Sequence, residues 1–246
     1  MKVNYLYNSS FKIETKNHVL ILDYYNDSVE GGERNSSRGV IGIEDLETNK
    51  EMLVFSSHSH GDHFNKLIFN WAEINPYIKY ILSSDIKAEN AAADITKISV
   101  YEELQIKDVY IKAYGSTDIG ISFLIKVDGI TIFHAGDLNW WDWYDVSDED
   151  NKKMEKMFKE EVAKLRGEAI DAAFFPVDSR LKKSYALGPD YLIKELAPKI
   201  FIPMHFREDF AVTKEFADKN RDLYTKVFEI THRGEKFELT TDNDRL

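Results

Sequence analysis

Within six residues, His58-Ser59-His60-Gly61-Asp62-His63, the chain places three imidazoles and a carboxylate. The run directly follows Glu51 to Phe55, a short apolar stretch that reads as a buried strand. His58 and His60 are two apart, so on an extended or turning backbone both point the same way. Gly61 is expected to let the chain bend tightly, bringing Asp62 and His63 into the same small volume. Surface chance rarely produces such a cluster at a strand end, whereas a divalent cation needs one. The chain has no cysteine. Thiolate sites, disulfides and cysteine nucleophiles are thereby excluded, and any metal must sit on His, Asp or Glu.

Around this run the pattern is one of strands, then strands alternating with helices. Val3 to Tyr7, Ser10 to Glu14 and His18 to Asp23 read as short strands. A long polar loop, 26–42, follows; it reads either as a flap over a pocket or as a surface excursion. Lys66 to Ile74 has helical spacing. Strands are expected at Lys79 to Leu82, Lys97 to Tyr101, Val109 to Tyr114, Ile121 to Val127 and Ile130 to His134, the last two joined at Asp128-Gly129. Asp148 to Arg166 is the longest helix candidate, with Met154, Met157, Phe158, Val162 and Leu165 at helical spacing. Ile170 to Val177 and Lys199 to Pro203 read as strands, Asp190 to Leu196 and Thr213 to Lys219 as helices, and Val227 to Leu239 as closing strands. No repeat, low-complexity tract or linker divides the 246 residues, so one α/β domain spanning 1–246 is expected, with sheets covered by helices.

The histidine run resembles the H-x-H-x-D-H signature of the metallo-β-lactamase superfamily. The resemblance covers nearly the whole chain. His18 to Asp23 looks like that family's early strand ending in an aspartate. Phe133-His134-Ala135-Gly136-Asp137 looks like its strand ending in Gly-Asp, and Pro203-Met204-His205 like the late strand carrying the final histidine. The resemblance is strongest to small bacterial proteins grouped with L-ascorbate-6-phosphate lactonase. It implies a four-layer αβ/βα sandwich with the site at one edge between two sheets. It also implies His58 and His60 on a first metal, Asp62, His63 and His205 on a second, and Asp137 bridging both. The implied cofactor is zinc, one or two ions per chain, with manganese or iron as alternatives.

One departure bears on the first metal. The family carries a third histidine there, and in Tyr114-Gly115-Ser116-Thr117-Asp118 the corresponding position is Ser116. A hydroxyl is a weak zinc ligand beside imidazole. The first site should therefore bind more weakly unless Asp118, or a water, completes it. Of the other histidines, His134 reads as a hydrogen-bonding neighbour of the site or as a packed structural residue. His18 and His232 read as surface turn residues.

Two ions roughly 3.5–4 Å apart would polarise a carbonyl or phosphoryl oxygen and bring the pKa of a water toward about 7. Asp62 and His205 are the candidate catalytic residues, although Asp62 would be a poor base while serving as a ligand. Arg180 and Arg207 are candidate substrate contacts, suited to phosphate or carboxylate. Lys182 and Lys183 fit that role or a solvated loop. Trp140, Trp141, Trp143 and Tyr144 fit a pocket wall or a cover for the long helix. The chemistry expected is hydrolysis of a small, anionic substrate at a lactone, amide or phosphoester bond. The alternative is a degenerate metal-binding sensor of the same fold. Asp plus Glu number 43 against 32 Lys plus Arg, a formal charge of −11, which disfavours a nucleic-acid partner. The first residues alternate like a strand rather than forming a leader, and no apolar run approaches the roughly 20 residues of a membrane span. A cytoplasmic protein with no membrane partner is expected.

Overall fold

A computed structural model describes residues 1–88 and 94–240. The chain forms two seven-stranded sheets laid face to face. In chain order the first sheet holds β1 (Lys2–Tyr7), β2 (Ser10–Glu14), β3 (His18–Leu22), β4 (Glu51–Ser56), β5 (Lys79–Ser83) and β6 (Asp94–Ile98). The second holds β7 (Glu103–Ile106), β8 (Val109–Tyr114), β9 (Ser122–Val127), β10 (Ile130–His134), β11 (Ala172–Pro176), β12 (Ile200–Met204) and β13 (Lys226–Val227). The last strand, β14 (Lys236–Glu238), returns to pair with β1 at the edge of the first sheet. In each sheet an antiparallel half gives way to a parallel half: β3 to β6 run parallel in the first, β10 to β13 in the second.

Strand alternation explains the layering, because successive side chains point to opposite faces. Leu20, Leu22, Leu53, Phe55 and Ile81 face the core between the sheets. Their neighbours Val19, Ile21, Met52, Val54, Tyr80 and Leu82 face outward. There they are covered by Leu46 of α1 (Ile43–Leu46) and by Ile68 and Trp71 of the 3-10 helix Lys66–Glu73. Phe174 turns inward against Phe11 (ring centroids 4.7 Å apart), whereas Phe175 turns outward against Phe158 of α2 (Asp148–Ala163). On that outer face α2 is joined by α3 (Leu187–Leu196) and α4 (Phe210–Lys219), whose Phe216 packs on Phe201. The result is the four-layer αβ/βα sandwich.

Residues 66–73 are helical as the spacing suggests, in 3-10 form. Several expectations are corrected. The strand expected at 97–101 runs instead over Asp94–Ile98, and β7 is an additional edge strand, short, charged and half exposed. The loop 26–42 is not a loose excursion but is anchored to the body of the fold. It carries a 3-10 turn at Ser36–Arg38, and the Arg233 guanidinium donates to the carbonyls of Asn26 and Gly39. Residues 33–35 and 41–44 line a groove with Leu67, Trp71 and Ile74. His18 is no surface residue: it is buried at the start of β3. Among the described residues no helix is long and apolar enough to cross a membrane.

Candidate metal centre

The residues singled out by the sequence meet where the parallel strands of both sheets end at their carboxyl termini, the usual place for a site in sheets of this kind. Past β4, Ser57 and His58 are buried, with Gly120 packed so closely on His58 that a Cβ there would stand 2.3 Å from it. Past β3, Asp23 adopts a left-handed backbone (φ 45°) and its N–H donates to Phe55 O. Past β10, Gly136 turns the chain at φ 53°, where a Cβ would lie 2.8 Å from the Ile121 carbonyl. Past β12, His205 is also left-handed (φ 63°) and its N–H donates to Asn8 O. Two non-glycine residues in this strained region, each costing about 1–3 kcal/mol, stand at the centre itself. Gly61, by contrast, has no positive φ and open space around its missing Cβ, so the bend does not require glycine there.

Hydrogen bonds fix which nitrogen each imidazole presents. Asp23 is fully buried and accepts from Ser57 N (2.7 Å), Ser57 Oγ (2.6 Å) and His63 Nδ1 (2.7 Å). Ser57 Oγ, having donated its proton to Asp23, accepts from His58 Nδ1 at 3.0 Å. Asp178 accepts from His205 Nδ1 at 3.0 Å. With all three Nδ1 atoms engaged, His58, His63 and His205 each turn Nε2 inward, the arrangement in which a second carboxylate orients a metal-binding imidazole. His134 is spent on structure: Nε2 donates to Ser9 O (2.9 Å) and Nδ1 accepts from Gly136 N (3.3 Å).

The inward atoms converge on Asp137. Its Oδ1 lies 3.0 Å from His63 Nε2 and 3.4 Å from His205 Nε2, and its Oδ2 lies 3.4 Å from His58 Nε2. Asp62 Oδ2 stands 3.8 Å from His205 Nε2. The Nε2 atoms of His58, His63 and His205 and Oδ1 of Asp137 are buried, yet none has a hydrogen-bond partner. Leaving such atoms unsatisfied costs about 1–3 kcal/mol each, and a cation among them removes that cost. The electrostatics agree. Burial pushes Asp137 up, but the imidazoles of His58, His63 and His205 outweigh it and hold the carboxyl well below its usual range. Burial pushes His63 down, but Asp137 and Asp23 prevail and raise it to about 10. The centre is built around a positive charge.

His60, Asp118 and Asp137 form a further group that could hold an ion, as could Asp62, His63 and His205. His60 Nδ1 lies 3.8 Å from Asp118 Oδ2. Ser116, at the position of the missing histidine, accepts through Oγ from the N–H of Asp118 and so shapes the turn that presents this carboxylate. Thr117 clamps the same turn to the segment after Asp137, donating to Asn139 O (2.7 Å) and accepting from Asn139 N (3.0 Å).

The family model described as a beta-lactamase superfamily domain matches residues 2–205. The chain belongs to this family. A UPF0173 metal-dependent hydrolase from Thermococcus kodakarensis is 24% identical over 254 residues, covering 97% of this chain and all of the relative. Two solved structures share the fold. A metallo hydrolase from the archaeon Ignicoccus hospitalis superposes with a TM-score of 0.65 at 18% identity over 97% of this chain and 99% of that one. A possible metal-dependent hydrolase from Veillonella parvula gives 0.58 at 14% identity over 97% and 99%.

In this beta-lactamase superfamily domain the approach to the centre is aromatic and cationic. Trp141 sets its ring edge-on to His205 (5.4 Å between centroids) and donates through Nε1 to Asp137 O (2.9 Å). Trp143 stacks on Trp141 at 5.8 Å, and the Arg180 guanidinium lies 5.5 Å from the Trp143 ring centre. Arg180 also pairs with Asp178, the carboxylate that orients His205. Next to this stack lies a cavity of about 570 Å³, lined by Trp140, Trp143, Tyr144, Asn151, Lys182 and Lys183. The aromatics thus serve both readings, since Trp140 also packs on Phe158 of α2. Arg207 is exposed, with a left-handed backbone whose carbonyl accepts from Tyr5. The sequence pattern holds no sign that Asp178 or Trp141 brace His205; only their nearness to motif residues hints at a place in the site.

Proposed function

We propose that the chain, a metal-dependent hydrolase of the beta-lactamase superfamily, cleaves a lactone, amide or phosphoester bond in a small anionic substrate. The ligands are His58, His60, Asp62, His63, Asp118, Asp137 and His205. The observation that carries this reading is that three buried, unpartnered imidazole nitrogens, those of His58, His63 and His205, surround the buried Asp137 carboxylate. Zinc, one or two ions per chain, suits imidazoles and carboxylates without thiolates, and manganese or iron suits the same donors. A bound divalent cation supplies Lewis acidity, acidifying a water and polarising the oxygen of the bond to be cut.

The chain's own residues do the rest. Asp23 and Asp178 hold three imidazoles in the tautomer that presents Nε2. Asp62, at 35% side-chain exposure, is the carboxylate at the open side, and it takes a proton from an attacking water only while it is off the ion. Arg180, anchored by Asp178 and exposed beyond it, binds the anionic part of the substrate, and Trp141 and Trp143 exclude water from one side. Asp118 within reach of His60 offers a first ion a stronger donor than Ser116, which favours the enzymatic reading over a degenerate sensor. A place near the lactonase-like branch rests on the sequence resemblance alone, and a cytoplasmic setting on the sequence pattern alone.

Metal content by plasma emission after zinc or manganese reconstitution, alongside turnover of a panel of lactones, amides and phosphodiesters, tests this. Wild type should hold at least one ion that Asp137→Ala lacks and should hydrolyse an anionic member of the panel. Equal metal content in both proteins, with no turnover of any class, overturns it.

A further inference from the structure

At the other end of the sandwich, the buried imidazole of His18 repeats the arrangement seen twice in the metal centre. His18 opens β3 and Glu51 opens β4, paired side by side in parallel register. Asp108 and Asp128 come across from the second sheet, in the β7–β8 and β9–β10 turns. The Nδ1 of His18 meets Asp128 Oδ2 at 3.1 Å. That carboxylate is itself fixed by Thr15 Oγ1 (2.6 Å), Asn17 N (2.8 Å) and Asn17 Nδ2 (2.7 Å). Nε2 points the opposite way and has no hydrogen-bond partner, although the side chain is only 2% exposed. It faces Asp108 Oδ1 at 3.3 Å and Glu51 Oε2 at 3.9 Å, and this Glu51 oxygen is likewise buried and unpartnered. Lys107 pairs with the other oxygen, Oε1, and leaves Oε2 free to face His18.

We propose that His18 Nε2, Asp108 and Glu51 form a further divalent-cation site, with Asp128 as the carboxylate that orients the imidazole. Two donors each about 2.1 Å from a tetrahedral zinc lie about 3.4 Å apart, close to the His18–Asp108 separation. The ligand atoms within 4.8 Å of one another are those of His18, Asp108 and Asp128, and Glu51 reaches the site only through Oε2, 3.9 Å from His18 Nε2. Asp108 is 59% exposed, so water completes the coordination and the ion enters from solvent. With one imidazole and two carboxylates, zinc and manganese are the cations that fit. The site lies roughly 16 Å from the catalytic end, taking five residues of β3 at about 3.3 Å each. Its role is to tie the first sheet to two turns of the second.

Manganese titration of the nitrogen-15-labelled protein, read by paramagnetic broadening of amide signals, tests the proposal without using hydrolysis. Asn17, Asp108 and Asp128 should broaden at substoichiometric manganese, in wild type and equally in Asp137→Ala, where the catalytic centre is disabled. Asp108→Asn changes only an exposed turn residue and should abolish that broadening; His18→Gln should do the same. After zinc reconstitution, Asp108→Asn should carry one ion fewer per chain than wild type, with hydrolysis within two-fold of it. Absence of broadening at these amides in wild type overturns the site, as does its persistence in both variants. His18 is then an imidazole shared between carboxylates and nothing more.

Discussion

Asp23 Oδ2 and His63 Nδ1 are 2.7 Å apart, fully buried and out of contact with solvent. Asp23 therefore acts on the metal centre only through His63 and, by way of Ser57, through His58. An asparagine in its place keeps the shape but supplies an amide, which accepts poorly where it must satisfy three donors. Asp23→Asn should weaken zinc binding 10- to 100-fold, measured by competition with a chromogenic chelator, with the far-ultraviolet circular dichroism unchanged. An unaltered zinc affinity would show that the orienting contact is dispensable.

Asp118 is the carboxylate that faces His60 in place of an imidazole. Asp118→Ala should lower the metal content of the reconstituted protein by one ion while leaving the His63–His205 side loaded. Asp118→His should restore that ion and tighten it, imidazole being the better zinc ligand. Plasma emission on the three proteins decides the matter, and equal content in wild type and Asp118→Ala counts against a role for Asp118.

Gly136 and Gly61 both sit beside metal-facing residues, but only Gly136 is required. At φ 53°, with the Ile121 carbonyl 2.8 Å from where a Cβ would stand, Gly136→Ala adds both backbone strain and a clash. It should lower Tm by several degrees, since about 1 kcal/mol corresponds to about 2–4 °C in a chain of this size. Gly61→Ala meets nothing within 4 Å and should move Tm by no more than about 2 °C. Differential scanning fluorimetry of both variants checks the contrast.

Asp178 makes part of the stability pH-dependent. Burial raises its carboxyl, but His205 and Arg180 outweigh burial and hold it down to about 2. Its folded value lies below its unfolded value, so the stabilisation is complete above about pH 4 and is lost as pH falls toward about 2. In chelator-treated protein, denaturant unfolding should find Asp178→Asn less stable than wild type by about 2 kcal/mol at pH 7. The gap should narrow progressively between about pH 4 and 2.5. A gap independent of pH would mean that the ionised form has no special partner.

The motif residues are legible because they are close in sequence: His58 to His63 need only a strand and a turn to converge, and Asp137 and His205 each end a recognisable apolar strand. What the sequence hides depends on partners brought from far along the chain. Asp118 can be named from the sequence, but its approach to His60 depends on Ser116, which shapes its turn, and on Thr117, which pins that turn to Asn139. The roles of Asp23 and Asp178 depend on hydrogen bonds that span 40 and 27 residues. His18 reads as a turn residue because the carboxylates around it arrive from turns of the other sheet. Two local expectations fail for local reasons. The strand β7 is too short and charged to stand out, and Gly61 lies where any side chain would fit.

The centre draws its donors from both sheets, the last of them, His205, lying just beyond β12. During synthesis on a ribosome, the first sheet's histidines are exposed long before Asp137 and His205 exist to close around an ion. A nascent chain therefore offers zinc only a loose, partial foothold, and tight metallation waits until β12 has been made and docked. Products truncated before that point should be metal-poor however much metal the cell holds, and loading becomes a marker that translation and sheet assembly have both finished.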